Sequence, residues 1–74
     1  MNIGEKIKEL RLQSGLTQTQ LAEKIGLTYV SICMWEKEKA EPTMFNCIVL
    51  ADFFGITLDE LCGRISAKTK KGII

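Results

Sequence analysis

The chain has 74 residues, 46% hydrophobic and 26% charged, with ten basic residues against nine acidic ones. That length holds one small domain and no second core. The composition excludes a disordered or collagen-like chain, and no apolar run reaches the ~20 residues of a bilayer-spanning helix, so a membrane partner is not expected.

The apolar spacing is helical throughout, and five helices fit it. The first takes Ile3 to Gln13, with Asn2 as N-cap and Ile3, Ile7 and Leu10 on one face. Ser14-Gly15 ends it. The second opens on Thr17-Gln18-Thr19-Gln20, a capping box in which Thr17 accepts from the Gln20 backbone and the Gln20 side chain reaches back. Leu21, Ala22 and Ile25 form its apolar face, and Gly26 closes it. The third starts at Thr28 as N-cap, with Ile32 and Trp35 facing inward, and Pro42 bounds the loop that follows.

The fourth helix runs from Thr43 to Phe54 with Gly55 as stop. The fifth opens on a second capping box, Thr57 with Glu60, and ends at Gly63. Helices this short are unstable unless packed, so the expected class is all-α, a compact five-helix bundle. Residues 1–65 are expected to form the domain and residues 66–74 a short basic tail.

Chemistry by side chains has little to work with. There is no histidine, which removes the commonest general base and the commonest metal ligand together. Cys33, Cys47 and Cys62 form no CxxC pair and read as reduced thiols acting as small hydrophobes. No enzyme activity, metal or cofactor is expected, and with no signal-peptide pattern at the N-terminus the cytoplasm is the expected compartment.

Charge is unevenly placed. Residues 1–27 sum to +1, residues 28–63 to −4 and residues 64–74 to +4. The tail reads either as a solubilising end or as an arm that contacts phosphate.

Between the second and third helices only Gly26-Leu27 precede the Thr28 cap. A helix, a tight glycine-containing turn and a second helix make the helix-turn-helix unit, whose second helix enters the major groove of DNA. Alone this is a weak signal. Together, Leu10-Arg11, Gly15-Leu16-Thr17-Gln18, Leu21-Ala22, Gly26, Ile32, Trp35-Glu36, Pro42, Leu50-Ala51 and Asp59-Glu60-Leu61 with Gly63 resemble the Cro/lambda-repressor-like helix-turn-helix family. The resemblance covers residues 3–63.

The resemblance implies a DNA-binding domain, usually a dimer on a pseudo-palindromic operator. It assigns Gln18 to a phosphate contact and to bracing the recognition helix. Thr28 and Ser31 would fix that helix on the DNA backbone, and Lys39 lies in a loop that approaches it. Arg11 and Glu36 match a family ion pair that is structural in role. The family commonly carries Gly two residues after that glutamate. Here the position is Glu38, so either the third helix runs on for a turn or Glu38 takes a left-handed conformation.

With Ile32 and Trp35 inward, steps of ~100° per residue turn Val30, Cys33, Met34 and Lys37 outward, with Tyr29 at the N-terminal edge. Most base readers are Arg, Lys, Asn or Gln. This face is mostly apolar, which suits thymine methyl groups and A·T-rich half-sites. It also suits a protein partner.

The fourth helix is apolar nearly all round. Family matches turn Met44, Cys47, Leu50, Ala51 and Phe54 toward the core, leaving Phe45, Val49 and Phe53 as a surplus stripe. With Leu58, Cys62 and Ile65 of the fifth helix, that stripe is the expected dimer or partner interface. The resulting expectation is a sequence-specific transcriptional regulator, a dimeric repressor on double-stranded DNA. The alternative is a protein-interaction module of the same fold, an antitoxin or adaptor.

Overall fold

The computed structural model describes residues 3–63. Five helices follow one another: α1 (Ile3–Gln13), α2 (Gln18–Ile25), α3 (Tyr29–Glu36), α4 (Met44–Phe54) and α5 (Leu58–Cys62). No strand occurs among the described residues. The expected Asn2 cap, Ile65 and the basic tail lie outside that range.

The helix starts follow local chemistry. Thr17 accepts from the Gln20 backbone N–H at 3.0 Å while the Gln20 side chain accepts from the Thr17 N–H at 2.9 Å, completing the capping box. Thr57 and Glu60 repeat the pair at 3.0 and 2.9 Å. Thr28 and Thr43 cap α3 and α4 with their hydroxyl groups. Each cap satisfies a backbone donor that the first turn leaves without a helical partner.

Each helix then contributes one fully buried side chain to a single core: Ile7, Leu21, Ile32, Leu50 and Leu61. Ala22, Trp35, Cys47 and Ala51 complete its buried part. Leu10, Leu16, Ile25, Leu27, Phe54, Ile56 and Leu58 pack around it. Helices of five to eleven residues are held by this shared burial rather than by their own propensity.

The end of α3 breaks a pattern. Gly15, Gly26, Gly55 and Gly63 all have positive φ and close the other four helices. After α3 the left-handed residue is Glu38, at φ 62°. The Glu38 N–H donates to the Trp35 carbonyl at 3.1 Å and the Lys39 N–H to the Met34 carbonyl at 2.9 Å. This is the paired bonding of a Schellman ending, with a glutamate in the glycine position. Of the two expected outcomes, α3 stops on time and Glu38 takes the strained conformation. Glu38→Gly is therefore expected to raise stability by about 0.5–1 kcal/mol, the left-handed penalty less glycine's larger unfolded-state entropy. A thermal melt checks this, and no rise in Tm would mean that contacts of the Glu38 side chain offset the strain.

The fourth helix corrects the expected face. Cys47, Leu50 and Ala51 are buried, but Met44 is 67% exposed. It is the first residue of α4, a turn ahead of the first α4 side chain that the core covers. Val49, expected on the outer stripe, is half-buried. The exposed apolar residues of α4 are Met44, Phe45, Ile48 and Phe53. The Phe53 ring meets Phe54 edge-on at 5.1 Å, which ties one end of this face to the packed side of the helix.

Candidate functional site

Helix α3 is positioned by its two ends and its inward side. At its start Gly26 and Leu27 turn the chain, and the Leu27 N–H closes on the Ala22 carbonyl at 2.8 Å. The Thr28 hydroxyl accepts from the Ser31 N–H at 3.3 Å, and the two hydroxyl groups lie 3.2 Å apart. Ile32 and Trp35 are buried beneath it.

At its other end Glu36 is the meeting point of three elements. Arg11 of α1 binds it through both arms of the guanidinium, Nε to Oε2 at 2.7 Å and Nη2 to Oε1 at 3.1 Å. Gln18, first residue of α2, donates from Nε2 to the same Oε1 at 3.0 Å. Arg11 Nη1 donates in addition to the Leu16 carbonyl at 2.9 Å. The Arg11 and Glu36 side chains are 9% and 4% exposed. Paired, bidentate and hydrogen-bonded, the charges are compensated, so the network sets the angle between α1, the start of α2 and α3.

The Leu16 carbonyl belongs to this network although sequence reasoning did not include it. A backbone acceptor leaves no side-chain signal. Its only trace is the tight turn after α1, which brings residue 16 back over Arg11.

Outward from this base, Tyr29 and Val30 are 50% and 61% exposed and Met34 is 38% exposed. Cys33 is half-buried and Lys37 is exposed at the helix end. The outer face of α3 is thus a short apolar surface with one phenol and one terminal ammonium. Lys39 is exposed beyond it, in a turn that also carries the exposed Glu38 and Glu41. Gln18 and Ser31 are half-buried and Thr28 is exposed, so these three border the same face.

Elsewhere the chemistry is quiet. Burial pushes the Cys47 thiol up, and the neighbouring Cys62 and Glu41 add to it. A thiol so raised stays protonated at neutral pH and is a poor nucleophile. Among the described residues no group of acidic and cysteine side chains is arranged to hold a metal ion, and no helix is long and apolar enough to cross a membrane.

Comparison with known proteins gives a consistent answer. The Helix-turn-helix family model matches residues 7–61. The HTH-type transcriptional activator BcrR of Enterococcus faecalis is 39% identical over 61 residues, which is 82% of this chain and 30% of that protein. The cryptic phage CTXphi transcriptional repressor RstR of Vibrio cholerae is 39% identical over 64 residues, 86% of this chain and 57% of that one. The chain therefore spans between about a third and just over half of these relatives. Among solved structures, the P22 c2 repressor in complex with a synthetic operator superposes with a TM-score of 0.78 at 27% identity, covering 84% of this chain and 94% of that one.

Proposed function

The chain belongs to the Cro/lambda-repressor-like helix-turn-helix family, and on that premise we propose that it is a sequence-specific DNA-binding transcriptional regulator, without enzymatic activity, that lodges α3 in the major groove. The observation that carries this reading is the exposed outer face of α3 mounted on the buried Arg11–Glu36–Gln18 network. Base recognition needs side chains held to within a fraction of an ångström, and a bidentate ion pair under the recognition helix supplies that rigidity.

In this reading Tyr29, Val30, Cys33, Met34 and Lys37 face the base edges. Gln18, Thr28, Ser31 and Lys39 meet the DNA backbone. The amide nitrogen of Gln18 has two hydrogens, and its bond to Glu36 uses one. The second is left for a phosphate oxygen. Residues 3–63 carry six basic and nine acidic side chains, a net −3, so this part of the chain makes few phosphate contacts and adds only a shallow salt dependence, which the four basic residues beyond it steepen if they engage DNA.

The protein would act as a homodimer and repress by occupying an operator. Its half-sites then lie about one helical turn, ~10 bp, apart. The exposed apolar residues of α4, Phe45 and Phe53 with Met44 and Ile48, are the surface offered to the second copy; Val49, Leu58 and Cys62, assigned to the same surface, are half-buried, and Ile65 lies outside the described residues. A second reading rests on the same exposed face of α4: a domain of this fold that binds a protein partner and little or no DNA.

Selection of the purified protein against a randomised duplex pool separates the two. Enrichment of an inverted repeat, surviving excess non-specific duplex, supports the dimeric regulator. A folded protein that enriches no sequence supports the protein-binding module.

A further inference from the structure

The outer face of α3 is unusual for a surface that is to read base edges. Tyr29, Val30, Cys33 and Met34 include no amide, guanidinium or carboxylate, and the helix meets its first cation only at Lys37, after its last residue. Placed against guanine O6 and N7 or the cytosine amino group, valine and methionine would strip water from hydrogen-bonding atoms and return nothing, which is unfavourable. One feature of the major groove rewards them, the methyl group on C5 of thymine.

Resting on the DNA-binding reading above, we propose that α3 recognises pyrimidine C5-methyl groups as such, and that a methyl group on C5 of cytosine therefore returns the contact that a thymine methyl makes. Val30 is the more exposed contact, at 61%, and Met34 the next along the face, at 38%. The two lie one helical turn apart on α3, so they face neighbouring steps of the groove. Val30 is β-branched and holds essentially one rotamer in a helix, so the shape it offers is fixed. Met34 is flexible and fills what remains. Neither can test the base-pairing edge. A methyl group on C5 of cytosine projects into the groove from the same ring carbon as that of thymine, so it restores the apolar contact, while the cytosine amino group and the paired guanine keep the desolvation cost that they impose without it. Methylation of cytosine at a contacted step then becomes a switch that tightens binding.

The experiment starts from the duplex enriched in the pool selection. Half-site thymines are replaced one at a time by deoxyuridine, which removes only the methyl group. In a second set the same T·A pairs become C·G, with and without a methyl group on the cytosine. At each contacted step deoxyuridine is expected to weaken binding about fourfold, the transfer value of one buried carbon. Methylating the substituted cytosine is expected to recover about the same factor. Both effects should vanish at one step in Val30→Ala and at another in Met34→Ala.

A duplex with all half-site thymines replaced by deoxyuridine that still binds within twofold of its parent overturns methyl recognition and leaves DNA binding standing. So does a substituted cytosine whose methylation changes nothing. A protein that enriches no duplex overturns the DNA-binding reading itself, and this proposal with it.

Discussion

Glu36→Ala is expected to lower the stability of the domain by about 3–5 kcal/mol, the range for removing one partner of a buried ion pair. The substitution leaves the Arg11 guanidinium, 9% exposed in the parent, with the Leu16 carbonyl as its remaining acceptor among the described residues, and takes from Gln18 the acceptor at 3.0 Å. Three elements lose their common anchor at once. A small domain has roughly 5–15 kcal/mol in total, so the variant is expected to be partly unfolded at 37 °C. Glu36→Gln retains an oxygen for Gln18 or Arg11 and is expected to lose less.

The double variant Arg11→Met with Glu36→Leu separates the two sources of that loss. With both charges gone no ion is stranded, and stability is expected to return to within about 1–2 kcal/mol of the parent. Urea melts of the four proteins measure this directly. A loss under about 1 kcal/mol for Glu36→Ala would mean that the pair is solvated, as surface pairs are.

Val30→Asp is expected to do the reverse: leave the fold alone and remove function. Val30 is 61% exposed and lies in the first turn of α3, where a carboxylate is favoured by the helix dipole, so stability should move by no more than about 0.5 kcal/mol. Against DNA the same carboxylate faces the phosphates and the acceptor-rich groove. Like charges brought together at an interface cost several kcal/mol, so affinity is expected to fall by about 100-fold, or ~2.8 kcal/mol. Fluorescence anisotropy with the enriched duplex measures it. A variant that melts with the parent and binds with unchanged affinity would show that α3 is not the reading element.

The architecture was legible because its signals are local. Two Thr-x-x-Gln/Glu boxes and glycines after four helices mark boundaries through bonds within four residues of one another, and such bonds form much the same way in any surrounding. Burial on α2 and α3 followed too, since Leu21, Ala22, Ile32 and Trp35 recur at helical spacing. Legibility failed where the sequence is redundant. Nearly every residue of α4 is apolar, so periodicity does not say which side faces in, and the family match that turns Met44 inward fails at the helix start, where Met44 is exposed. Glu38 left two outcomes open because a non-glycine residue can end a helix or extend it, and the choice rests on the bonds from Glu38 and Lys39 back to Trp35 and Met34. At the site, Arg11 and Glu36 are 25 residues apart, and no spacing rule joins them; the family pattern suggested the pair, and the geometry of three helices makes it. Which outward residue meets which base depends on the DNA as much as on the chain, so it is written in neither the sequence nor the fold alone.

The most direct test of the central claim is a titration of ¹⁵N-labelled protein with the enriched duplex, followed by amide chemical shifts. The account predicts the largest changes at Tyr29 to Met34 and at the N-terminus of α2 around Gln18, with the Arg11–Glu36 base of α3 unmoved. Changes concentrated on α4 around Phe45 and Ile48, with α3 silent, would contradict it and show that α3 is not the surface that meets DNA.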